Sequence, residues 1–254
     1  MIDERIAERR AAVRDDRRRG RLRRTLWVLA LLALLAGLIA LERSALVGLE
    51  EVTVGGVQRL DPDEVRAAAD LELGTSTLRL GLREATERVE DLPLVERAEG
   101  RRTDPLTVHL EVVERTPVLT VRGEDVVRFI DRAGVLIDEV DEAEREALTG
   151  PEIVLGSEPP EVGEQVTDEP ALANAHATWL GLSGPLRADV VRYRAAGPDE
   201  LTLELRSGVE VRFGRAERVD EKVRALGAVL EDVGDTPIEA IDVRAPAAPV
   251  VIAP

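Results

Sequence analysis

The chain has only two histidines, and these are the first residues to consider for metal or acid–base chemistry. His109 and His176 are far apart in the sequence, and neither belongs to an H-x-x-x-H or H-E-x-x-H motif, so the ligand spacing of zinc hydrolases is missing. There is no cysteine, which excludes thiolate metal sites and cysteine nucleophiles. We therefore expect no metal and no cofactor, and we expect each histidine to be packed or solvated.

The serines do not form a nucleophile motif. Ser76 and Ser183 each follow a glycine by two residues, as the serine of a G-x-S-x-G elbow does, but Leu78 and Pro185 stand where the second glycine is needed. The phosphate-binding pattern G-x-x-x-x-G-K-[ST] is also missing from the sequence. The sequence thus gives no support for serine hydrolysis or for nucleotide hydrolysis.

Paired acids are the remaining catalytic candidates. Glu124 with Asp125, and Asp141 with Glu142, are neighbours of the kind that glycoside hydrolysis uses. The chain has 50 acidic and 34 basic residues, so solvated surface acids explain such pairs more simply. An envelope hydrolase is still the enzyme alternative, and it would require activity in the purified fragment from Glu42 onward.

Lys222 is the only lysine in the chain. It lies in a predicted helix between acidic and apolar residues, directly after Asp220 and Glu221. We expect it to form surface ion pairs or a packing contact, and not to act as a catalytic amine. Taken with the histidines and serines, these residues predict a protein that is not an enzyme.

An uncharged apolar run occupies residues 25–41 and organises the rest of the chain. As a helix its roughly 17 residues would reach about 26 Å, enough for one membrane span with local thinning. The preceding residues 1–24 hold ten arginines and five acids, which predicts a basic cytoplasmic tail with the C-terminal part outside. The alternative is a cleaved signal peptide. The length of the run and the lack of an A-x-A site after Leu41 favour an uncleaved anchor.

The charge after the membrane limits the class of partner. The whole chain has a net charge of −16, and since the tail is basic, the remainder is more acidic still. Such a surface repels nucleic acid and favours protein partners.

Residues 48–116 predict a small module with two helices and three strands. Asp61 and Pro62 are typical of a helix start, and Pro93 ends the second helix. Alternating apolar residues in the last strand indicate one buried face, with His109 on the other. The predicted elements are a strand at Glu50–Val54, helices at Asp61–Asp70 and from Leu82 to Pro93, and strands at Val95–Arg101 and Leu106–Val113.

The second half predicts more strands with two long helices. Glu139–Pro170 is acidic and rich in Pro and Gly, which indicates a loop or short-helix connection. Asp168 is expected to cap the helix that follows. The other predicted elements are a hairpin at Val126–Val140 turning at Asp131–Gly134, helices at Pro170–Leu182 and Arg215–Asp232, and strands at Asp189–Ala195, Glu200–Leu205, Val209–Phe213, Ile238–Val243 and Pro249–Ala253.

Two stretches resemble the POTRA (polypeptide-transport-associated) domain. They are VTVGGVQRLDPDEVRAAADLELGTSTLRL from Val52 and LPLVERAEGRRTDPLTVHLEVVERTPV from Leu92. The second contains Leu-Pro-x-Val, an Asp-Pro before its last strand and the exit Glu114-Arg115-Thr116-Pro117. A single POTRA domain after one anchor and a basic tail is similar to the FtsQ/DivIB cell-division proteins. The alternative from a transport class is a POTRA docking subunit for polypeptides crossing the envelope, and deletion would block export instead of septation.

The second half resembles the β domain of the same family. The matching pieces are FIDRAGVLIDEV from Phe129, LTLELRSGVEVRFGRAERVDEKVRALGAVL from Leu201 and IEAIDVRAPAAPVV from Ile238. The resemblance implies an α+β fold with a basic tail at 1–24, a transmembrane helix at 25–41, a POTRA domain (β-α-α-β-β) at 48–116 and a mixed β domain with flanking helices at 117–254.

The resemblance also implies a function. It predicts a non-enzymatic bitopic scaffold of the divisome, a single-pass type II protein of the cell membrane at the division septum, which links components of septal cell-wall synthesis. Its C-terminal strand would receive FtsB, in complex with FtsL, by β-augmentation. The alternative is that Val250 and Ile252 only pack the core. The partner-binding residues carried over from the family are Ile241, Asp242, Val243, Arg244, Val250, Val251 and Ile252.

Overall fold

The computed structural model describes residues 26–37, 48–77, 79–140, 150–234 and 236–254. Contacts divide the chain into two compact units. The first comprises Pro62–Thr86, Glu99–Glu111 and the chain up to Gly55, and the second comprises Gly56–Asp61, Glu87–Ala98 and Val112–Pro254.

The first described element is a helix, α1, at residues 26–37, and its large apolar side chains are exposed. Among the described residues no helix is both long enough and apolar enough to cross a bilayer. The predicted basic tail at 1–24, residues 25 and 38–41 of the predicted span, and the acid pair Asp141 and Glu142 lie outside the described residues.

A three-stranded sheet with two helices follows, in the predicted β-α-α-β-β order. Its strand order is β1-β3-β2, and β1 runs parallel to β3. Val108, Leu110 and Val112 are buried along one face of β3, as predicted, and His109 lies on the opposite face. The elements are β1 at Glu51–Gly55, α2 at Pro62–Ala69, α3 at Leu82–Glu90, β2 at Val95–Arg102 and β3 at Thr107–Glu114.

The second half forms a nine-stranded sheet with the order β12-β11-β10-β9-β8-β7-β4-β5-β6. Its strands are β4 at Pro117–Arg122, β5 at Val127–Asp131, β6 at Leu136–Glu139, β7 at Glu152–Leu155, β8 at Val190–Gly197, β9 at Glu200–Leu205, β10 at Glu210–Arg212, β11 at Ala240–Asp242 and β12 at Val250–Ile252. Its helices are α4 at Pro170–Gly181, α5 at Gly184–Asp189 and α6 at Val219–Val233, with a 3₁₀ turn at Val166–Asp168.

Three sequence predictions need correction here. The segment 139–170 is not only a connection, because β7 lies within it and pairs in parallel with β4 and with β8. Ile153 and Leu155 are buried and alternate with half-buried Glu152 and Val154. This short segment becomes a strand only because the two flanking strands supply partners for its backbone. Strand β4 and helix α5 had not been predicted. The cap of α4 is Glu169, whose carboxylate accepts from Ala171 N, whereas Asp168 accepts from Gln165 N in the preceding turn.

The two faces of the large sheet differ in chemistry. One face is covered by α4 and α6 and holds the apolar core, including Trp179 and Leu226. The other face has a row of charged residues across four neighbouring strands, in which each acid contacts at least one arginine. Its members are Glu152, Arg192, Glu204 and Glu210 in direct register, joined by Arg122 and Arg194. Glu204 and Glu210 lie directly opposite each other, and Arg194 contacts both carboxylates, which offsets their repulsion on the solvent-facing side.

The carboxylate of Glu114, at the end of β3, is held by three consecutive backbone N–H groups. Its Oε1 accepts from Gln58, Arg59 and Leu60 at 2.7, 2.9 and 3.0 Å. Burial raises the pKa of Glu114, but the three N–H donors and the nearby Arg59 outweigh it and lower the pKa below its ordinary value of 4.5. The ionised form of Glu114 therefore fastens the 58–60 loop to the end of β3.

We predict that Glu114→Gln lowers the free energy of unfolding by about 1 kcal/mol at pH 7, after allowing for solvent screening. Because the pKa is lower in the folded state, this stabilisation is complete above pH 4.5 and is lost as the pH falls through the folded pKa. Urea titrations of the purified chain at several pH values measure the difference. Glu99→Gln, at an exposed position of β2, is the matched control and should change stability by less than about 0.5 kcal/mol. A Glu114→Gln deficit that stays constant into acid would contradict this explanation.

Candidate functional site

The two edge strands of the nine-stranded sheet differ in whether their outer backbone groups have hydrogen-bond partners. This difference locates the candidate site. At the β6 edge the 163–166 segment supplies backbone partners. Leu136 N donates to Glu164 O at 3.0 Å, Gly163 N donates to Leu136 O at 2.7 Å, and Val166 N donates to Gly134 O at 2.8 Å. The Leu136 end of that edge is therefore closed.

The opposite edge is β12, at Val250–Ile252. In the described part of the chain no strand lies beyond it in the sheet. The side chain of Val250 is 56% exposed and that of Val251 is 42% exposed, although both are apolar and belong to a strand. Pro249 and Pro254 flank the strand and keep it short. An open apolar edge of this kind is a template for another strand.

The hydrogen bonds around β11 show which backbone groups of β12 are free. Glu210 N donates to Glu239 O, and Val243 N donates to Arg212 O. In a parallel pair, this pattern means that Ile241 exchanges its hydrogen bonds with β10, so that its neighbours in β11 direct theirs to β12.

Within β12, the neighbours of Ile241 pair with the two outer residues. Ala240 lies opposite Ile252 and Asp242 lies opposite Val250, whereas Val251 lies opposite Ile241. Successive residues of a strand direct their backbone groups to opposite sides. The N–H and C=O of Val251 therefore point away from the sheet, towards an added strand.

The side chain of Val251 continues the core of the sheet to its edge. It shares a face with a row of residues in direct register, all of them fully buried: Ile241, Val211, Leu203, Tyr193, Ile153 and Val121. Val251 is the first member of this row to be substantially exposed. An apolar side chain on an added strand would cover it and extend the core by one position.

A fixed ion pair lies beside the edge strand. The guanidinium of Arg244 donates to both carboxylate oxygens of Asp242, with Nε 3.0 Å from Oδ1 and Nη2 2.5 Å from Oδ2. The side-chain hydrogen bonds from Arg244 are the main cause of the lowered pKa of Asp242. Gly214 packs against this arginine, because a Cβ at Gly214 would lie 3.1 Å from Arg244 Cγ. Arg244 is thus oriented while its side chain stays 61% exposed.

The loop that carries Gly214 is held by polar groups from two helices. Asn174 of α4 donates from Nδ2 to Gly214 O at 3.0 Å and accepts from Ala216 N. Lys222 of α6 donates from Nζ to Phe213 O at 2.8 Å and to Arg215 O at 2.7 Å. The two helices therefore fix the loop on which Arg244 rests.

For Lys222 the sequence analysis predicted surface ion pairs or a packing contact, and the structure confirms the packing contact. Its side chain is buried, with the ammonium 4.9 Å from the centre of the Phe213 ring. Burial lowers the pKa of Lys222. The sequence did indicate this burial, because Lys222 lies three residues after Val219 and four before Leu226, within the apolar stripe of the helix. Asn174 was missed because a single polar residue in a predicted helix carries no such signal.

The structure divides the seven residues that the sequence assigned to partner binding. Ile241 and Val243 are fully buried, so their side chains support the edge and are not available for contact. Asp242 is half-buried and is engaged by Arg244. The exposed members are Arg244, Val250 and Val251, with Ile252 half-buried beside them.

The two histidines considered for metal or acid–base chemistry lie on separate elements, His109 on β3 and His176 on α4. His109 interacts with Thr53 Oγ1 at 2.8 Å and Glu111 Oε2 at 2.9 Å on the small sheet. His176 is buried and stacks on Trp179, and this burial lowers its pKa. Across the described ranges no cluster of three or more His, Cys, Asp or Glu could hold a metal ion.

Comparison with known proteins gives two family matches. Residues 47–115 match the POTRA domain of FtsQ type, and residues 119–244 match the C-terminal domain of the cell division protein FtsQ/DivIB. A cell division protein FtsQ of Streptomyces venezuelae is 33% identical over 236 residues, which cover 89% of this chain and 81% of that protein. The chain belongs to the FtsQ/DivIB family of cell division proteins.

Other members of the FtsQ/DivIB family align over similar lengths. The FtsQ of Streptomyces collinus is 30% identical over 236 residues, covering 90% of this chain and 88% of that protein. The FtsQ of Mycobacteroides abscessus is 29% identical over 236 residues, covering 89% and 69%. These matches confirm the family predicted from the POTRA and β-domain motifs. The match to the FtsQ/DivIB C-terminal domain ends at Arg244, before β12.

We predict that Lys222→Met lowers the free energy of unfolding by about 2 kcal/mol, because the carbonyl oxygens of Phe213 and Arg215 lose their donor. Removal of the buried charge offsets part of this cost. The measurement is a urea titration of the purified chain. Arg224→Met, on an exposed position of the same helix, is the control and should change stability by less than about 0.5 kcal/mol. Equal stability of the Lys222→Met variant and the parent chain would show that the lysine does not support the loop.

Proposed function

We propose that this chain is a non-enzymatic, single-pass membrane scaffold of the division machinery that captures a partner segment as an additional strand on β12. The observation that carries the proposal is the open edge, where the backbone N–H and C=O of Val251 face outwards beside exposed apolar side chains. Because the chain belongs to a family of cell division proteins, we assign this strand capture to cell division.

The open edge supports strand addition better than helix docking. Backbone groups that point outwards in the plane of the sheet are satisfied by another extended segment and not by a helix, whose own backbone bonds are internal. An apolar residue of the added strand would cover Val251. A carboxylate next to it would meet the oriented guanidinium of Arg244. The favoured partner segment is therefore extended, with apolar and acidic residues on opposite faces.

FtsB in complex with FtsL is the partner that the family resemblance suggests for this edge. The proposed contacts are those of Arg244, Val250, Val251 and Ile252, with Ile241, Asp242 and Val243 holding the strand in place. The proposed domains of the chain are a POTRA domain at 48–116 and a β domain at 117–254.

The proposed topology rests on the sequence around residues 25–41. The basic residues before this apolar run favour a cytoplasmic N-terminus, and the acidic remainder would then lie outside the membrane. In this arrangement β12 reaches partners on the outer side of the membrane at the division septum.

We predict that Val251→Pro weakens binding of the FtsB–FtsL complex about tenfold, while the chain stays folded. Proline removes an outward N–H and places its ring on the open side, but it leaves the bonds between β12 and β11 intact. Biolayer interferometry with the full chain in nanodiscs measures the affinity, and urea titration measures stability.

Val250→Pro is the matched control for this experiment. It removes an N–H that faces β11, so it should reduce stability as well as binding. If the folded Val251→Pro variant binds the partner as tightly as the parent chain, strand addition at β12 is wrong.

A further inference from the structure

Three connections meet at one end of the small three-stranded sheet. They are the loop from α2 to α3, the turn from β2 to β3, and residues 48–50, which lead into β1. Glu50 N donates to Leu106 O at 2.7 Å, and Thr77 Oγ1 donates to Pro105 O at 2.7 Å. These bonds hold the loop and the turn beside the point at which the chain enters the small module.

Leu73 lies on the α2–α3 loop, and its side chain is 66% exposed. Outside α1 it is the most exposed large apolar residue in the part of the chain that the structure describes. The loop around it is fixed, because Gly74 N donates to Leu49 O at 2.7 Å and Leu49 N donates to Thr75 O at 2.9 Å. A single exposed leucine is common on protein surfaces, so its meaning depends on what lies next to it.

The residues bonded to this loop follow closely on the apolar run of the sequence. The run ends at Leu41, and Leu49 is eight residues further on. A fully extended chain of that length reaches no more than about 29 Å. In the proposed single-pass topology the run lies in the bilayer, so this short tether keeps the Leu73 end of the module close to the outer surface of the membrane.

On the basis of that topology, we propose that Leu73 inserts into the outer leaflet of the lipid bilayer and rests this end of the module on the membrane. Transfer of its apolar side chain out of water is favourable, and little conformational freedom is lost because the loop is already ordered. Glu72 precedes Leu73 and is exposed. Its carboxylate stays in the headgroup layer, because a charge in the hydrocarbon is costly. The insertion is therefore shallow, and anionic lipid does not strengthen it.

The test uses the full chain in nanodiscs of phosphatidylcholine. The chain has no cysteine, so a nitroxide can be attached at one introduced position at a time. Electron paramagnetic resonance then compares collisions of the label with oxygen, which concentrates in lipid, and with a water-soluble nickel chelate. The label on Leu73→Cys should collide more with oxygen. Glu64→Cys, exposed in the first turn of α2 and thus at the other end of that helix, is the control and should collide more with the chelate.

A third labelled position separates the insertion of Leu73 from the topology on which it rests. Leu34→Cys lies in the apolar run, and its label should collide more with oxygen. A label in lipid at residue 34 with a label in water at residue 73 would overturn the insertion of Leu73 and leave the topology standing. Labels in water at both positions would overturn both.

The native side chain is tested in the same nanodiscs with a paramagnetic lipid. Such a lipid should broaden the amide resonances of Gly74 and Thr75, and Leu73→Ser should remove most of that broadening. Leu180→Ser, at an exposed leucine of α4, is the matched control and should leave the broadening unchanged. Equal broadening in the Leu73→Ser variant and the parent chain would show that the leucine does not hold this end of the module on the membrane.

Discussion

A β-sheet satisfies the hydrogen bonds of its inner strands but leaves those of its outermost strands open, and the properties of this protein depend on how its large sheet ends. At β6 the 163–166 segment supplies backbone partners to the edge. At β12 nothing in the described chain does so. Because the parallel pairing of β10 with β11 fixes the direction of every bond that follows, Val251 directs its N–H and C=O outwards. The outward direction of these two groups is therefore determined by the pairing of the whole sheet, and not only by the three residues of β12.

Much of the surrounding structure stabilises that edge. The row of buried side chains that begins at Val121 ends at Ile241 on β11, the strand that pairs with β12. Lys222 and Asn174 hold the loop against which Arg244 packs. These polar groups are buried, yet each is bonded to backbone, so they specify one loop position at low energetic cost. The solvent-facing side of the sheet needs no cover, since its charges are paired across the strands.

Elements with a strong local pattern were predictable from the sequence. The helices at Pro62 and Pro170 begin where their proline and acidic residues indicate, and the strands from β8 to β12 follow their alternation. Strand β7 was not predictable in this way, because four residues in an acidic segment become a central strand only when β4 and β8 lie on either side. For the same reason the sequence named Ile241 and Val243 as partner contacts, although the completed sheet buries both side chains. The orientation of Val251 arises from pairing between distant segments, which no local pattern carries.

The central claim is that the chain acts in cell division as a scaffold, and its most direct test is made in dividing cells. A fluorescent protein fused to the N-terminus reports the position of the chain, while depletion of the native protein reports its requirement. We expect a fluorescent band at midcell, and unseparated filaments on depletion. An even signal around the envelope, with normal septa after depletion, would contradict the division role and leave only a protein with an open sheet edge and another client.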